Sequence, residues 1–458
     1  MHIKIQKGLN IPISGKPEGE IRELAGSGSV VKPAEISLNL SSFDDLRLRL
    51  LKKVDERVKI GEPLCEDKGC PGRMFVSPAT GSIKEIRRGV KRRLIDIVIQ
   101  PDASEEIPEY LPVNPEGVTR HDLISLLLNR GLFTTIQRRP FCILPDPKIA
   151  PRSIFVKAVE SAPFTPPAEL QVEGLEAEFQ AGLTALSKLT DGPVHLVYRV
   201  DSPCKAFTEA KHVQKHTVEG PHPIGTHSLH IQHIDPIKSS SDVIWTLNAH
   251  DVVRIGYMLT KGKPYLERVI AIAGPGIIEG KSGYFRVRDG YPVASLTAGR
   301  VPKSSQRYIS GDPLTGKQIG IDGFLGYNDY VFSVIPENTE REFLHFFRPG
   351  FDKYSFSRAY MSGHRKNPAD YPFTTNQHGE HRAFIDATLY DKVMPMNIPV
   401  MHLVKSVLAE NFELAEELGL LEVAPEDFAL STFVCPSKME MTEIMKQGIR
   451  TYAGEMLG

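Results

Sequence analysis

The sequence lacks any apolar run long enough to cross a bilayer. A membrane-spanning helix needs about 20 consecutive apolar residues. The best candidate here, residues 269–273 with Ile277 and Ile278 beyond it, is interrupted by the GPG sequence of residues 274–276. The N-terminal stretch MHIKIQK also lacks the apolar core of a secretory signal peptide. These absences predict a cytoplasmic protein that reaches a membrane only through a partner.

The sequence is also poor in cysteine and in excess charge. Its five cysteines are an odd and dispersed set, which favours reduced thiols over a disulfide framework. Cys65 and Cys70 are spaced CxxxxC rather than CxxC, the spacing typical of zinc and iron–sulfur loops, so we predict no metal site. The formal net charge of −1 gives no overall field that would recruit nucleic acid.

A third absence is the glycine-rich loop of a nucleotide-binding enzyme. Gly26 with Gly28, and Gly274 with Gly276, are close pairs near predicted strand ends, but neither completes GxGxxG or the P-loop GxxxxGK[ST]. Pro275 removes an amide donor from a loop that would have to hold a phosphate. The nucleophile motif GxSxG is missing as well. We therefore predict that this chain has no catalytic, cofactor-binding or metal-binding residues.

The length of the chain predicts a multidomain α/β protein, because 458 residues exceed what one hydrophobic core supports. Runs of turn-bounded apolar residues indicate β-structure first, then alternating strands and helices, then β-structure again and finally helices. We predict four parts: an N-terminal segment with a lipoyl-like β-sandwich (1–110), a Rossmann-like α/β domain (111–255), a small β-grasp-like, soluble-ligand-binding-like domain (256–330) and a C-terminal helical domain (331–458).

Particular patterns support these four parts. In the first part, VxxG at residues 58–61 followed by SPATG at residues 77–81 resembles the motif order of a biotinyl/lipoyl-type sandwich. In the second, Thr119 and Gly131 bound an amphipathic helix. Strands are predicted at 153–158, 194–200, 269–273 and 284–288, and helical segments at 169–190, 401–418 and 437–456.

Histidine is concentrated in one segment, since six of the fifteen fall between residues 212 and 233. His212 and His216 have the spacing of one helix face, and the GPHPIG sequence of residues 220–225 is typical of a rigid turn. Conformational structure, contact with a ligand or partner, and a metal site all stay open for this segment. As candidate contacts to a quinone or a partner we select Gly220, His222, Gly225 and His227.

A basic run in the first part is a candidate docking surface. It holds five charges in seven positions without interleaved aromatic residues, in a predicted β-hairpin, so stacking on nucleic-acid bases is not indicated. A solvated hairpin face and docking onto an acidic or membrane-bound partner are the alternatives. The residues are Arg87, Arg88, Lys91, Arg92 and Arg93.

Two residues of the first part resemble attachment sites for prosthetic groups. In carrier domains of the biotinyl/lipoyl type a hairpin lysine bears the group, and Lys68 lies near that place. The GCPG of residues 69–72 stretches the spacing, so a solvated loop lysine is favoured. Thr80 in SPAT resembles sites of covalent flavin attachment, but the sandwich turn already explains this segment.

Several motifs in order resemble one family, the NqrA family of the bacterial sodium-translocating NADH:quinone oxidoreductase. The most specific is IKIQKGLNIPISGKP at residues 3–17. The others are SPATG at 77–81, IRRG at 86–89, GPHPIGTH at 220–227, Trp245 before VRIG at 253–256, AGP at 273–275 and CPSK at 435–438. The resemblance covers essentially the whole chain.

The resemblance implies a peripheral subunit on the cytoplasmic face of the bacterial inner membrane, with five other subunits as partners. Such a complex uses NADH, flavins, an iron–sulfur cluster and quinone, couples NADH oxidation and ubiquinone reduction to sodium export, and is expected to place quinone near this chain. Related flavoprotein subunits carry a glycine-rich loop and a CxxCxxC cluster motif, whereas Cys435 stands alone here. The leading hypothesis is therefore a subunit without its own redox cofactor; the alternatives are a catalytic subunit that binds flavin or NADH, and a carrier modified at Lys68.

Overall fold

The computed structural model describes residues 1–24, 33–339, 343, 347–364 and 370–457. Within these residues no helix is both long and apolar enough to span a bilayer. The described strands form two six-stranded sheets, one four-stranded sheet and one three-stranded sheet. The helices lie mainly with the first six-stranded sheet and in the C-terminal part of the chain.

The first 24 residues add strands to two sheets that are otherwise built from later parts of the chain. Strand β1 (His2–Lys4) pairs in parallel with β13 (Gln214–Glu219), and β2 (Ile21–Glu23) pairs in parallel with β16 (Gly283–Arg288). The side chain of Ile3 is buried in the core beneath β13. This segment therefore ties the second part of the chain to the third. The glycine pair at 26 and 28 lies outside the described residues.

Residues 36–101 form two small antiparallel sheets around one core, as the turn-bounded apolar runs predict. Leu38, Phe75, Ile83 and Ile97 are buried between the sheets. The first sheet has the order β3 (Ile36–Asn39), β9 (Leu94–Pro101), β8 (Gly81–Arg88), β5 (Arg57–Val58), and the second has the order β4 (Leu48–Leu50), β6 (Pro63–Asp67), β7 (Met74–Val76).

The second part is an α/β unit around a mostly parallel sheet. The central strands are buried along nearly their whole length, which explains why they are continuous apolar runs in the sequence. The remaining strands are β10 (Gln137–Arg139), β11 (Ser153–Ala158), β12 (Val194–Arg199) and β14 (Ile244–Asn248). The sheet order is β1-β13-β12-β11-β14-β10, and β10 runs antiparallel to β14.

Local residues set where two helical segments of this part begin or break. Thr119 accepts a hydrogen bond from the Asp122 amide and starts the predicted first helix. The predicted helical segment 169–190 is two helices, because Gly174 takes a left-handed conformation (φ +75°). The helices are α1 (Arg120–Asn129), α2 (Ala168–Val172), α3 (Glu176–Leu186), α4 (Lys205–Thr208), α5 (His227–Ile234) and α6 (Ala249–Lys261). Helix α6 runs past residue 255, the predicted end of this part.

The third part is the second six-stranded sheet with one short helix, α7 (Val293–Thr297). Ile270, Phe285, Leu296 and Phe332 form its buried core. The sheet contains β15 (Glu267–Ala273), β17 (Gln306–Ser310), β18 (Lys317–Ile319) and β19 (Val331–Pro336) in the order β18-β17-β19-β15-β16-β2. The strands predicted at 269–273 and 284–288 are confirmed.

The C-terminal part is helical, and its elements are α8 (Tyr390–Val393), α9 (Val400–Leu408), α10 (Phe412–Glu417), α11 (Ala429–Val434) and α12 (Met441–Leu457). The single helix predicted at 401–418 is wrong. Glu410 takes a left-handed conformation (φ +53°), and the Asn411 side chain accepts from the Leu414 amide to start a new helix. The predicted helix near the C-terminus begins at Met441, after Lys438, which also has a positive φ.

A buried arginine joins the C-terminal helices to the α/β unit. Arg139 is 2% exposed; its Nη1 donates to Ser228 Oγ at 2.8 Å and its Nη2 donates to the Glu422 carbonyl at 2.9 Å. Ser228 lies in the first turn of α5, so this network holds that helix in place. Helix α5 in turn positions the candidate site.

Candidate functional site

A cavity of about 370 Å³ opens at the carboxyl edge of the parallel sheet, beside the ends of β11 and β14. In the order β13-β12-β11-β14, strands β12 and β13 lie on one side of β11, and the next strand in the chain, β14, lies on its other side. The direction of strand addition therefore reverses between β11 and β14. Open α/β sheets bind their ligands in the crevice at such a switch point. All four parts of the chain line the cavity, for example through Ser41, Lys157, Asp312 and Glu426. We call it the switch-point cavity.

The end of β11 and the loop after it carry an ion pair into the switch-point cavity. Lys157 Nζ lies 3.0 Å from Glu160 Oε2, and both side chains are about one-sixth exposed (15% and 16%). Burial opposes the charge on Lys157, but Glu160 outweighs it and raises the pKa of the lysine. In nucleotide-binding sheets this loop offers glycine amides to a phosphate. Here the VESAPFTPP sequence of residues 159–167 places a carboxylate there instead.

Ser161 links this loop to the predicted histidine turn. Its hydroxyl accepts from the Gly225 amide at 2.9 Å and lies 2.9 Å from His222 Nδ1. After accepting from the amide, the hydroxyl keeps its own proton and a second lone pair for Nδ1, so either tautomer of a neutral His222 satisfies this contact. Burial, followed by the charge of Lys157, lowers the pKa of His222 to about 4. His222 is therefore neutral near pH 7.

His227 reaches the same cavity from the first turn of α5. Burial lowers its pKa well below the usual 6.5, and Lys157 and His230 act in the same direction. Its Nδ1 is buried and has no hydrogen-bond partner among the described residues. His227 is thus a neutral imidazole at the wall of the cavity, hydrogen-bonded to the Asn248 side chain, with its unpartnered Nδ1 turned into the protein.

The opposite wall comes from the third part of the chain and is acidic. Asp312 accepts from the Leu314 amide at 2.8 Å, and Asp329 accepts from Ser310 Oγ at 2.5 Å. Burial raises the pKa of both carboxyls. Lys317 Nζ donates to the Ser41 carbonyl at 3.1 Å at this side of the cavity. The charged residues lining the cavity are Lys157, Lys317, Glu160, Asp251, Asp312, Asp329 and Glu426.

The two predicted glycines differ in position. Gly225 lines the switch-point cavity, and a Cβ there would lie 2.9 Å from Ser161 Oγ. Gly220 lies behind it with φ +147°, and a Cβ there would lie 2.5 Å from Ile5 Cγ1. Gly220 therefore allows the N-terminal segment to approach the histidine turn.

The other histidines of the 212–233 segment lie elsewhere. The expected shared helix face of His212 and His216 is wrong, because His212 has φ +62° and His216 lies in strand β13. His216 Nε2 is 3.0 Å from His195 Nδ1, and His230 Nε2 donates to the Ile224 carbonyl at 2.8 Å. Among the described residues, groups of three or more His, Cys, Asp or Glu side chains that could hold a metal ion are absent.

The basic run lies in the β8–β9 hairpin, and its charges point in different directions. Arg87 Nη1 donates to the Asp322 carbonyl at 2.7 Å, and Arg93 Nη1 lies 3.6 Å from Asp44 Oδ2. Arg88 Nη1 donates to the Arg92 carbonyl at 3.0 Å. Lys91 and Arg92 are exposed at the tip. The run therefore divides into two parts. Arg87 and Arg93 bind residues outside the hairpin, and Arg88, Lys91 and Arg92 form its charged tip.

The two residues considered for prosthetic groups have ordinary surroundings. Lys68 is exposed after β6, and its amide donates to the Arg47 carbonyl at 2.9 Å. Thr80 is 5% exposed; its hydroxyl accepts from the Ile60 amide at 3.1 Å and donates to the Glu106 carbonyl at 3.3 Å. The hydroxyl of Thr80 is thus already used within the fold.

Several residues of the switch-point cavity were not predicted from the sequence. Lys157 lies near the end of β11, Glu160 and Ser161 follow that strand, and Asn248 is the last residue of β14. Polar residues at the ends of two buried strands were a signal for them, because the carboxyl ends of parallel strands meet at one edge. Asp312 and Asp329 had no such signal, since they arrive from another sheet.

Three family models match consecutive parts of the chain. They are described as the NqrA N-terminal barrel-sandwich hybrid domain (residues 3–102), the NqrA second alpha/beta domain (118–264) and the NQRA C-terminal domain (269–320). The first two coincide with the two-sheet part and the α/β unit, so the coarse fold expected from the sequence is confirmed.

Relatives match nearly the full chain. The NqrA protein of the Na(+)-translocating NADH-quinone reductase of Chlamydia caviae is 37% identical over 99% of this chain and 97% of its own length. The corresponding protein of Tolumonas auensis is 36% identical over 97% and 98%, and that of Yersinia pestis is 34% identical over 97% and 98%.

Proposed function

The chain belongs to the NqrA family of the Na(+)-translocating NADH-quinone reductase, and we propose that it serves as the NqrA subunit of that enzyme. The assembly passes electrons from NADH to quinone and translocates sodium ions. The similarity to the relatives over 97–99% of this chain is the observation that carries this proposal. The similarity includes the C-terminal helices, so the proposal covers all four parts of the chain.

The finer architecture supports a scaffold without its own redox cofactor. We regard the two-sheet part as lipoyl-like, the parallel sheet with its β13-β12-β11-β14 order as Rossmann-like, and the third part as β-grasp-like. The switch-point cavity lies where such a sheet would hold a nucleotide. Five carboxylates and two lysines line it, and a nucleotide phosphate is repelled by that excess of negative charge. NADH, flavins and the iron–sulfur cluster then belong to other subunits.

The same cavity suits the head group of a quinone. A quinone site needs hydrogen-bond donors for the two ring carbonyls. His222 and His227 are neutral imidazoles in the wall of the cavity, and an imidazole N–H can donate to a ring carbonyl. Gly225 lies between the two histidines, and Gly220 precedes them at the start of the turn. The lining is polar, so it suits the ring better than an isoprenoid chain. The chain of a ubiquinone would stay with the membrane subunits.

The β8–β9 hairpin is the proposed docking element for those subunits. Its exposed tip, Lys91 and Arg92 with Arg88 beside them, presents positive charge away from the rest of the chain. Arg87 and Arg93 hold the base of the hairpin through Asp322 and Asp44. We place the protein at the cytoplasmic face of the bacterial inner membrane, as a peripheral subunit with five partners.

Reconstitution tests this function. Membranes stripped of this chain are supplemented with the wild-type chain or with His227→Gln, and NADH:quinone reductase activity is titrated with a short-chain ubiquinone. The substitution should raise the KM for quinone by about 5- to 10-fold, the cost of one lost hydrogen bond, and leave the KM for NADH unchanged.

His233→Gln is the matched control, because His233 lies on the same helix but outside the switch-point cavity. A double variant, Lys91→Glu with Arg92→Glu, should lower the amount of chain bound to the stripped membranes without changing the KM for quinone. Equal quinone KM values for wild type and His227→Gln would remove the quinone role of the cavity. Failure of the wild-type chain to restore activity would remove the proposed function itself.

A further inference from the structure

A second and smaller cavity lies where the first three parts of the chain meet. Its volume is about 40 Å³, and Ser77, Arg130, Arg254 and Arg268 are among the residues that line it. A cavity of this volume is larger than the 10–15 Å³ that one water molecule requires (about one probe sphere). Helix α6 lines both cavities, the switch-point cavity through Asp251 and this one through Arg254 and Met258. We call it the arginine cavity.

The arginine cavity has three guanidinium groups and one carboxylate in its wall. Arg268 Nε and Nη2 donate to Asp289 Oδ1 at 2.8 and 2.5 Å, and Arg254 Nη2 lies 3.3 Å from Asp289 Oδ2. The side chains of Arg268 and Arg254 are only 2% and 11% exposed. One carboxylate is therefore shared by two buried cations, although buried charges are normally paired.

Two other carboxylates that interact with these arginines make their hydrogen bonds elsewhere. Asp251 accepts from the Asn248 amide at 3.1 Å, and Asp329 accepts from Ser310 Oγ. Both line the switch-point cavity rather than the arginine cavity. Their charges partly offset the positive charge of Arg254 and Arg268. Neither carboxylate lines the space between the guanidinium groups.

Two arginines keep donors for a ligand. Arg254 Nε is buried without a hydrogen-bond partner in the described part of the chain. The Arg130 guanidinium lies 3.4 Å from the centre of the Tyr110 ring, and within the described ranges no carboxylate is at ion-pair distance from it. Apolar residues complete the wall and weaken screening, which strengthens attraction to an opposite charge. They include Leu38, Val76, Leu132, Met258 and Leu325.

We propose that the arginine cavity binds a small inorganic anion of the size of chloride between Arg130 and Arg254. The anion supplies the negative charge that Asp289 alone does not provide. Because Arg130 and Arg254 belong to the α/β unit and Asp289 to the third part, with the β-sandwich closing the cavity at Ser77, the anion stabilises the junction of all three.

Thermal unfolding of the full chain tests this site. The midpoint is measured in sodium chloride and in sodium gluconate at equal ionic strength. Chloride should raise it in a saturable way, by about 3 °C at ten times the dissociation constant, and gluconate should not. The effect should be lost in Arg130→Gln, which gives up a ring contact but no hydrogen bond or ion pair within the described residues, and which should therefore fold.

Arg57→Gln is the control, because Arg57 is an exposed arginine (73% exposed side chain) that pairs with Asp102 on the surface. It should keep the full chloride response. The same response in chloride and gluconate, or in wild type and Arg130→Gln, overturns the proposal. Crystals grown in sodium bromide give a direct reading: anomalous density between Arg130 and Arg254 supports the site, and a water molecule there contradicts it.

Discussion

At the residue scale, burial sets the charge of histidines in the α/β unit, both at the switch-point cavity and away from it. Burial lowers the pKa of His195, His216 and His222 to about 4, from an ordinary value of 6.5. A histidine whose pKa is lower in the folded state binds fewer protons there than in the unfolded chain. Its contribution to stability is therefore complete above pH 6.5 and is lost as the pH falls toward 4. Asp251 and Asp427, with pKa values raised to about 6, act in the opposite direction.

A comparison of variants isolates one of these histidines. His222→Gln removes the titrating group while keeping a polar side chain beside Ser161. From pH 7.5 to pH 5, wild type should lose about 2 kcal/mol of unfolding free energy relative to this variant, as the pKa values of 4 and 6.5 require. Urea denaturation at both pH values measures the difference. His121→Gln, at an exposed histidine on α1, should show no such change with pH; a pH-independent difference for His222→Gln would contradict its buried, neutral state.

The sequence located part of the candidate site at this scale and missed part of it. His222, Gly225 and His227 were found because six histidines within 22 residues and a Gly-Pro turn stand out in composition. Glu160 follows β11 and Asn248 ends β14, and apart from this position at a strand end their residue types do not distinguish them from surface polar residues. Their role depends on two strand ends lying side by side, which is a property of the sheet.

At the element scale, two glycines allow helices α3 and α6 to touch. A Cβ at Gly256 would lie 1.7 Å from the Glu178 carbonyl oxygen, and one at Gly182 would lie 2.1 Å from the Val252 carbonyl oxygen. Glycine in a helix interior normally weakens the helix. The structure shows what the local propensity could not: the missing side chain is required by the neighbouring helix, which comes from 70 residues later in the chain (Gly182 to Val252).

The helix contact gives a prediction with its own control. Gly256→Ala should destabilise the chain by about 1–3 kcal/mol, because the added methyl group must push two helix backbones apart. Gly454→Ala in α12 makes the same chemical change where a Cβ meets nothing within 4 Å, and should stabilise by up to about 1 kcal/mol. Thermal and urea unfolding of both variants measure the two effects. Equal shifts of the same sign would show that the α3–α6 contact is looser than described.

Secondary structure was predicted best where the signal, a capping residue or a repeat of apolar residues, lies within the element itself or directly beside it. Thr119 and Gly131 bound α1 as expected, and the strands at 153–158 and 194–200 are present. The helix predicted at 401–418 was wrong because Asn411 starts a second helix there, and its capping role is indistinguishable in sequence from a solvent-facing polar residue.

At the scale of the whole molecule, long-range pairing decides the architecture. Strand β1 joins the sheet beside β13, with His2 opposite Thr217, and the C-terminal helices attach through Arg139. Neither contact has a signature in local sequence, because each joins segments that are far apart in the chain. The order of the parts could be predicted from composition and motif resemblance. The meeting of all four parts around one cavity could not.

The central claim is that this chain is a subunit of a sodium-translocating NADH-quinone reductase that serves the quinone end without a redox cofactor of its own. The most direct measurement compares the complex purified with and without this chain. Two rates are measured for each preparation: electron transfer from NADH to an artificial acceptor and electron transfer from NADH to quinone. Sodium transport is measured in vesicles reconstituted with the same preparations. Without the chain, transfer to the artificial acceptor should persist, while quinone reduction and sodium transport should fall to background. Unchanged quinone reduction without the chain would contradict the account. So would the loss of NADH oxidation without the chain, if the isolated chain also shows flavin absorbance.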